Sequence, residues 1–180
     1  MTGTKRAGFA GLAIAALLLT GAMDATAQSA DGMKGYLIDA FERAKAWDIS
    51  LAEAIPDSAM DWAPNADVRG FAAQIVHTAN NGFIAMPLFG EDAPAFGDEA
   101  ELVADRAALI AAVTNAYDFL IGKLETMDGT SLGDEVDFFG RTMTRGRVAL
   151  FALEHAMWTR GQLVPYLHAH GVAVPAQRLF

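Results

Sequence analysis

The chain contains no cysteine. That absence excludes a disulfide, a thiolate nucleophile, and any zinc or iron-sulfur site held by cysteine. It also excludes attachment of a lipid to an N-terminal cysteine. Basic side chains are in short supply, with 13 Lys and Arg against 22 Asp and Glu, for a net charge of −9. An acidic surface of this kind favours solubility and argues against nucleic acid or anionic lipid as a partner. There is no convincing series of alternating strands, no internal repeat and no low-complexity tract.

The first residues have the pattern of an export signal. Lys5 and Arg6 precede an apolar run from Ala7 to Met23, and Ala25, Thr26 and Ala27 supply the small-x-small pattern of a cleavage site after Ala27. The run contains three glycines and falls short of the roughly 20 apolar residues that a spanning helix needs. The expectation is a signal peptide over residues 1–27 and a mature chain over 28–180, periplasmic or secreted, with no membrane insertion after cleavage. Without Lys5, Arg6 and Asp24 the mature chain keeps 11 basic and 21 acidic side chains, a net charge of −10. Its length suits one domain around a single core.

Apolar residues recur at helical spacing in four segments. Met33, Leu37, Phe41, Ala44, Trp47, Leu51 and Ile55 form one stripe, ended by Pro56. The stretch PDSAMDWAPNAD is a structured connection, because its prolines at 56 and 64 interrupt regular helix. Asp67 is the expected cap of a second helix running from Val68 to Met86 and closed by Pro87 and Gly90. A third runs from a capping box at Asp98 and Glu101 through Leu109, Val113, Tyr117 and Leu120 to Met127. Residues 128–140 are a loop with a short extended piece, and Thr144 caps the fourth helix. The fold class this predicts is all-α, a four-helix bundle with long inter-helix connections.

On the fourth helix, Leu150, Phe151, His155, Trp158, Thr159 and Gln162 recur at spacings of three and four and so share a face. An imidazole among apolar groups calls for a hydrogen-bond acceptor, a water or a metal opposite it. His77, on the second helix, is the natural counterpart of His155 within a bundle. His168 lies about 220 degrees round the helix from His155, and His170 precedes Gly171 at a helix end. Both are expected at the surface, and Glu154 lies beside the wrong face. Gly161, four residues before Pro165, is expected to ease a kink, and Gln162 either shares that packing role or lines the cavity.

Two motifs lack their contexts. GTSLG, Gly129 to Gly133, matches the serine hydrolase string, but that elbow needs a strand before Ser131 and a helix after it. A carboxylate-bridged di-iron bundle needs glutamate and histidine three apart on two helices, and no such pair occurs.

The segments APNADVRGFAAQIVH, Ala63 to His77, and HAMWTRGQLVPYLHAHGVAVP, His155 to Pro175, resemble the two motifs of the DinB-like bacterial four-helix-bundle proteins. The likeness includes Arg160, Gly161, Gln162, Tyr166, Leu167 and Gly171 and spans essentially the whole mature chain. It implies a divalent metal, often zinc or nickel, held by one histidine of the second helix and two histidines four apart on the last. Some members are thiol transferases and others hydrolases or isomerases. It also implies that a homodimer is possible.

Carried over by position, His77 and His155 take the first two ligand places, and the third falls on Thr159. A neutral hydroxyl is a poor zinc ligand, and two imidazoles leave such a site one donor short. The expectation is therefore either no cofactor or a weakly bound divalent metal. The protein would then be an exported small-molecule-binding or accessory protein whose pocket is formed by His77, His155, Trp158, Thr159 and Gln162. The alternative is a divalent-metal-dependent transferase or hydrolase using His77 and His155. Neither names a substrate.

Overall fold

The computed structural model describes the backbone of residues 9–176 and the side chains of residues 28–176. The expected signal peptide, residues 1–27 with its cleavage point after Ala27, lies outside the residues whose side chains are described. Helix α1 (Phe9–Ala54) buries Leu37, Phe41, Ala44 and Leu51 on one stripe and stops before Pro56. Burying a side chain the size of Phe41 contributes about 1.5–3 kcal/mol. Arg106 closes the C-terminal end of α1 by donating to the carbonyls of Ala52 and Ile55 while pairing with Asp57. A cation suits that end of a helix, where carbonyls lack intrahelical donors.

The connection that follows makes one 3₁₀ turn (Asp57–Ala59) and then satisfies the first donors of the next helix itself. The N–H groups of Phe71 and Ala72 donate to the carbonyls of Trp62 and Met60 at 3.1 and 2.8 Å. This moves the helix start from the expected Asp67 to Gly70, because the backbone partners replace a side-chain cap. A Cβ at Gly70 would lie 2.9 Å from the Asp61 carbonyl oxygen, so the approach requires glycine.

The single helix expected over 68–86 is two helices, α2 (Phe71–Ala79) and α3 (Gly82–Phe89). Asn80 leaves helical geometry with ψ of 86°, and its side chain accepts from the Gly82 N–H at 3.2 Å. Asparagine offers the backbone a local bond that competes with the helix, and here that bond prevails. Pro87 lies inside α3, and termination falls to Gly90 in the left-handed region at φ 75°.

The third segment is likewise divided, into α4 (Glu99–Ala104) and α5 (Arg106–Thr126). Asp105 ends the first and caps the second by accepting from the N–H groups of Ala107 and Ala108. Asp98 caps α4 as expected, accepting from Ala100 and Glu101.

After a 3₁₀ turn (Gly129–Gly133), the expected extended piece has a partner: β1 (Glu135–Phe138) pairs antiparallel with β2 (Arg141–Thr144), Phe138 opposite Arg141. Phe139 and Gly140 form the two-residue loop with φ of 53° and 75°. Two positive φ values are the signature of the type I′ turn, whose twist matches the hairpin. Thr144 caps α6 (Arg145–Gly161) by accepting from the Arg147 N–H. The kink expected at Gly161 is a full break, with α7 (Val164–Ala169) starting anew around Pro165.

α1, α5, α6 and the α2–α3 pair are the four members of the bundle; α5 and α6 each pack on α1 and on the α2–α3 pair, and Leu109, Val113, Leu120 and Leu124 of α5 share one core with Val148, Ala149 and Ala152 of α6. Three of the members are tied by one buried polar network. Arg160 donates to Asp48, and the Tyr117 hydroxyl donates to the second Asp48 oxygen at 2.6 Å. Burial and then the Asp48 charge push the Tyr117 hydroxyl well above the ordinary phenol value. For Arg160, burial is the largest influence and lowers the pKa, but the Asp48 charge and hydrogen bond together with those of Tyr117 outweigh it and hold the guanidinium ionised.

Candidate functional site

α2 carries His77 and α6 carries His155, and the packing of α2 on α6 brings their rings together. The ring centroids are 5.0 Å apart and the planes are inclined at 78°. His155 also meets the ring of Phe83 edge on, at 5.7 Å. The pair faces a cavity of about 490 Å³ whose lining includes Arg69, Phe83, Glu99, Phe139 and Phe151. That volume is in the range that holds a small molecule.

The break between α2 and α3 serves this cavity. It turns Phe83 back over His155, where a continuous helix would carry it onward. The hairpin supplies the opposite wall, since its loop places Phe139 at the mouth while Phe138 packs on Phe151 at 5.3 Å.

Both imidazoles are pushed below the ordinary value of 6.5. For His77 the causes are desolvation, then the positive charge of Arg69 and the neighbouring His155, opposed by Glu99. For His155 they are desolvation and then Arg69. At neutral pH the rings are therefore uncharged, each with one donor and one acceptor nitrogen. The Nδ1 atom of His155 is buried and has no hydrogen-bond partner among the described residues.

The other expected pocket residues are placed differently. Thr159 is 1% exposed, its hydroxyl donates to the His155 carbonyl of its own helix at 2.7 Å, and it does not line the cavity. Trp158 is 71% exposed on the outer side of α6 and lines none of this cavity. Gln162 lies beyond Thr159 on a neighbouring cavity, where its Oε1 accepts from Gln74 Nε2 at 3.3 Å.

His168 is exposed, whereas His170 is half-buried, its ring edge on to Trp62 at 4.7 Å. The surface position expected for His170 is thus lost to the turn that folds it onto Trp62. Ser131 sits in the 3₁₀ turn and donates to the Asp128 carbonyl at 2.6 Å, outside any strand-to-helix elbow. Glu154 is exposed and borders a different depression, beside Arg147.

Arg69, Phe83, Glu99 and Phe139 are site residues that spacing did not reveal. Arg69 and Phe139 sit in connections, where no periodicity marks a face, and Phe83 is brought in only by the break at Asn80. The one available signal was for Arg69, which lies in the segment Ala63 to His77 that carries the resemblance.

The residues present do not fit a three-ligand metal centre. Two imidazoles converge, the hydroxyl at the third position is committed to its own helix, and among the described residues no group of three His, Cys, Asp or Glu side chains comes together.

The DinB superfamily profile matches residues 36–163 of this chain. Among solved structures, a DinB-like protein from Bacillus cereus ATCC 10987 is similar with a TM-score of 0.68 at 13% identity, covering 78% of this chain and 94% of that one. A DinB-like protein from Bacillus subtilis is similar with a TM-score of 0.62 at 20% identity, covering 81% of this chain and 99% of that one. At such identities the likeness is one of fold. No curated protein matches.

Proposed function

The chain belongs to the DinB superfamily, and from that premise we propose that it binds a small aromatic carboxylate in the cavity around His77 and His155, without a resident metal. The observation that carries this is the pairing of two uncharged imidazoles inside an aromatic wall with one guanidinium, Arg69, at its edge. Phe83, Phe139 and Phe151 offer ring faces and edges to an aromatic body. Among the described residues Arg69 makes no ion pair, not even with Glu99 of the same cavity, so its planar fork can meet a carboxylate. We also propose that the domain works after export, in the periplasm or outside the cell, on the strength of the leader pattern before Gln28.

The second reading, a divalent-metal-dependent transferase or hydrolase, is favoured by one observation. Two uncharged imidazoles at 5.0 Å are the right kind of donor, though not a full set.

Calorimetric titration of tag-free protein with 3-phenylpropionate in the presence of EDTA separates the two. Saturable binding is expected, weakened about tenfold by Arg69→Gln through loss of the charged hydrogen bonds. Stoichiometric metal in the tag-free protein, or binding that requires added zinc, overturns the metal-free reading and favours the second.

A further inference from the structure

The imidazole cavity is one half of a longer seam between α2 and α6. Gln74 and His77 are three apart on α2, and His155 and Gln162 are seven apart along α6, so each pair follows one face of its helix. Across the seam His77 meets His155 at 5.0 Å, and one turn earlier on α2, opposite the C-cap of α6 two turns on from His155, Gln74 Nε2 donates to Gln162 Oε1 at 3.3 Å. The seam is thus a ladder with an imidazole rung and an amide rung.

The amide rung has a defined polarity. Gln74 is buried, and its Nε2 also donates to the Thr159 backbone carbonyl at 3.1 Å. A carbonyl can only accept, which fixes the Gln74 amide with its nitrogen toward α6 and fixes the Gln162 atom it meets as an oxygen. The Gln162 nitrogen is then left over, and among the described residues it has no hydrogen-bond partner. Gln162 lines a second cavity of about 660 Å³, which Asp67, Pro165 and Tyr166 also line.

Arg69 joins the halves. It lines both cavities, and its charge is felt by His77 and His155 on one side and by Tyr166 on the other. A ligand held by its carboxylate at Arg69 therefore has an aromatic space on one side and an amide donor on the other.

Resting on the ligand-binding reading above, we propose that the ligand is an N-acylated aromatic α-amino acid lying along the α2–α6 seam. Its ring enters the space walled by Phe83, Phe139 and Phe151, its carboxylate meets Arg69, and its acyl carbonyl accepts from Gln162 Nε2. The α-carbon of such a molecule bears all three groups, which is the branching the two cavities and the shared guanidinium require.

The test compares two probes on the purified chain and on Gln162→Leu by calorimetry. 3-Phenylpropionate fills only the aromatic half, whereas N-acetyl-phenylalanine reaches both. In the unaltered protein the acetylated probe binds about five- to tenfold tighter, the worth of one or so net hydrogen bonds. Gln162→Leu abolishes that advantage: whatever the absolute affinities of the folded variant, their ratio for the two probes falls to about one, because the donor that only the acetylated probe reaches is gone. Equal affinity for the two probes, or an advantage that survives Gln162→Leu, overturns the seam proposal alone. If neither probe binds, the ligand-binding reading falls with it.

Discussion

Arg160 on α6 donates its Nε to Asp48 on α1 at 2.6 Å, with both side chains almost wholly buried, at 3% and 0% exposure. Its Nη2 reaches the other Asp48 oxygen at 3.2 Å and the Tyr117 hydroxyl of α5 at 3.3 Å. The guanidinium also lies over the ring of Trp47, 5.4 Å from its centroid. Three helices are therefore held in register by one satisfied network, and the site depends on that register because His155 is carried by the same helix as Arg160.

The first prediction concerns this pair. Arg160→Leu leaves Asp48 buried without its counter-charge and destabilises the fold by about 3–5 kcal/mol, read as a lower urea midpoint. Replacing both, as Asp48→Leu with Arg160→Met, recovers most of the loss, since a packed apolar pair of similar volume avoids the desolvation cost. A double variant no more stable than Arg160→Leu would show that the network, and not charge compensation, holds the helices.

This pair also marks the limit of what was legible beforehand. Arg160 lay within a recognised motif beside His155, yet its partner stands 112 residues away, and nothing in the spacing of Asp48 distinguishes it from a solvated carboxylate. The helical members were legible because Leu37, Phe41 and Leu51, or Leu109, Val113 and Leu120, repeat at helical intervals over several turns. The breaks at Asn80 and Asp105 were not, because each depends on whether a short polar side chain wins a local bond against the helix. For the same reason the juxtaposition of His77 and His155 could be expected from two helix faces, whereas Arg69 and Phe139 could enter the site only through connections whose path no periodicity describes.

The second prediction is a pH dependence. Because the folded pKa values of His77 and His155 lie below the ordinary 6.5, the unfolded chain binds more protons from these groups around and below that pH. Their contribution to stability is fully present above pH 6.5 and is lost as pH falls through their folded values. The urea midpoint of the protein is expected to fall between pH 7.5 and pH 5, and the fall is expected to be smaller in His77→Asn/His155→Asn. Equal pH slopes in the two proteins would place the sensitivity elsewhere.

The third prediction addresses the missing donor. Position 159 follows His155 by four residues, so its side chain starts one turn further along the same helical face. Thr159→His removes the hydroxyl that donates to the His155 carbonyl and substitutes an imidazole beside the existing pair. Zinc affinity by competitive titration is expected to rise at least about tenfold over the unaltered protein, equivalent to about 1.4 kcal/mol. Overpacking a buried position costs about 1–3 kcal/mol of stability, so circular dichroism confirms that the variant is folded before titration. A folded variant with no gain in zinc affinity would mean that the face of α6 at 159 does not converge on His77.

The fourth prediction separates wall from scaffold at the hairpin. Phe139 adopts a left-handed conformation at φ 53°, is 77% exposed and forms part of the cavity mouth, an arrangement that fold stability alone does not favour. A bulky side chain in that region costs about 1–2 kcal/mol, while placing glycine there adds unfolded-chain entropy worth about 0.4–1 kcal/mol. The two effects nearly cancel, so Phe139→Gly should move Tm by no more than about 4 °C. Loss of the aromatic wall, in contrast, should weaken 3-phenylpropionate binding about fivefold, the effect of removing one aromatic contact of about 1 kcal/mol. A large fall in Tm with unchanged affinity would make Phe139 a structural residue of the turn. An unchanged Tm with weaker binding identifies a side chain kept in an unfavourable conformation for the sake of the cavity it encloses.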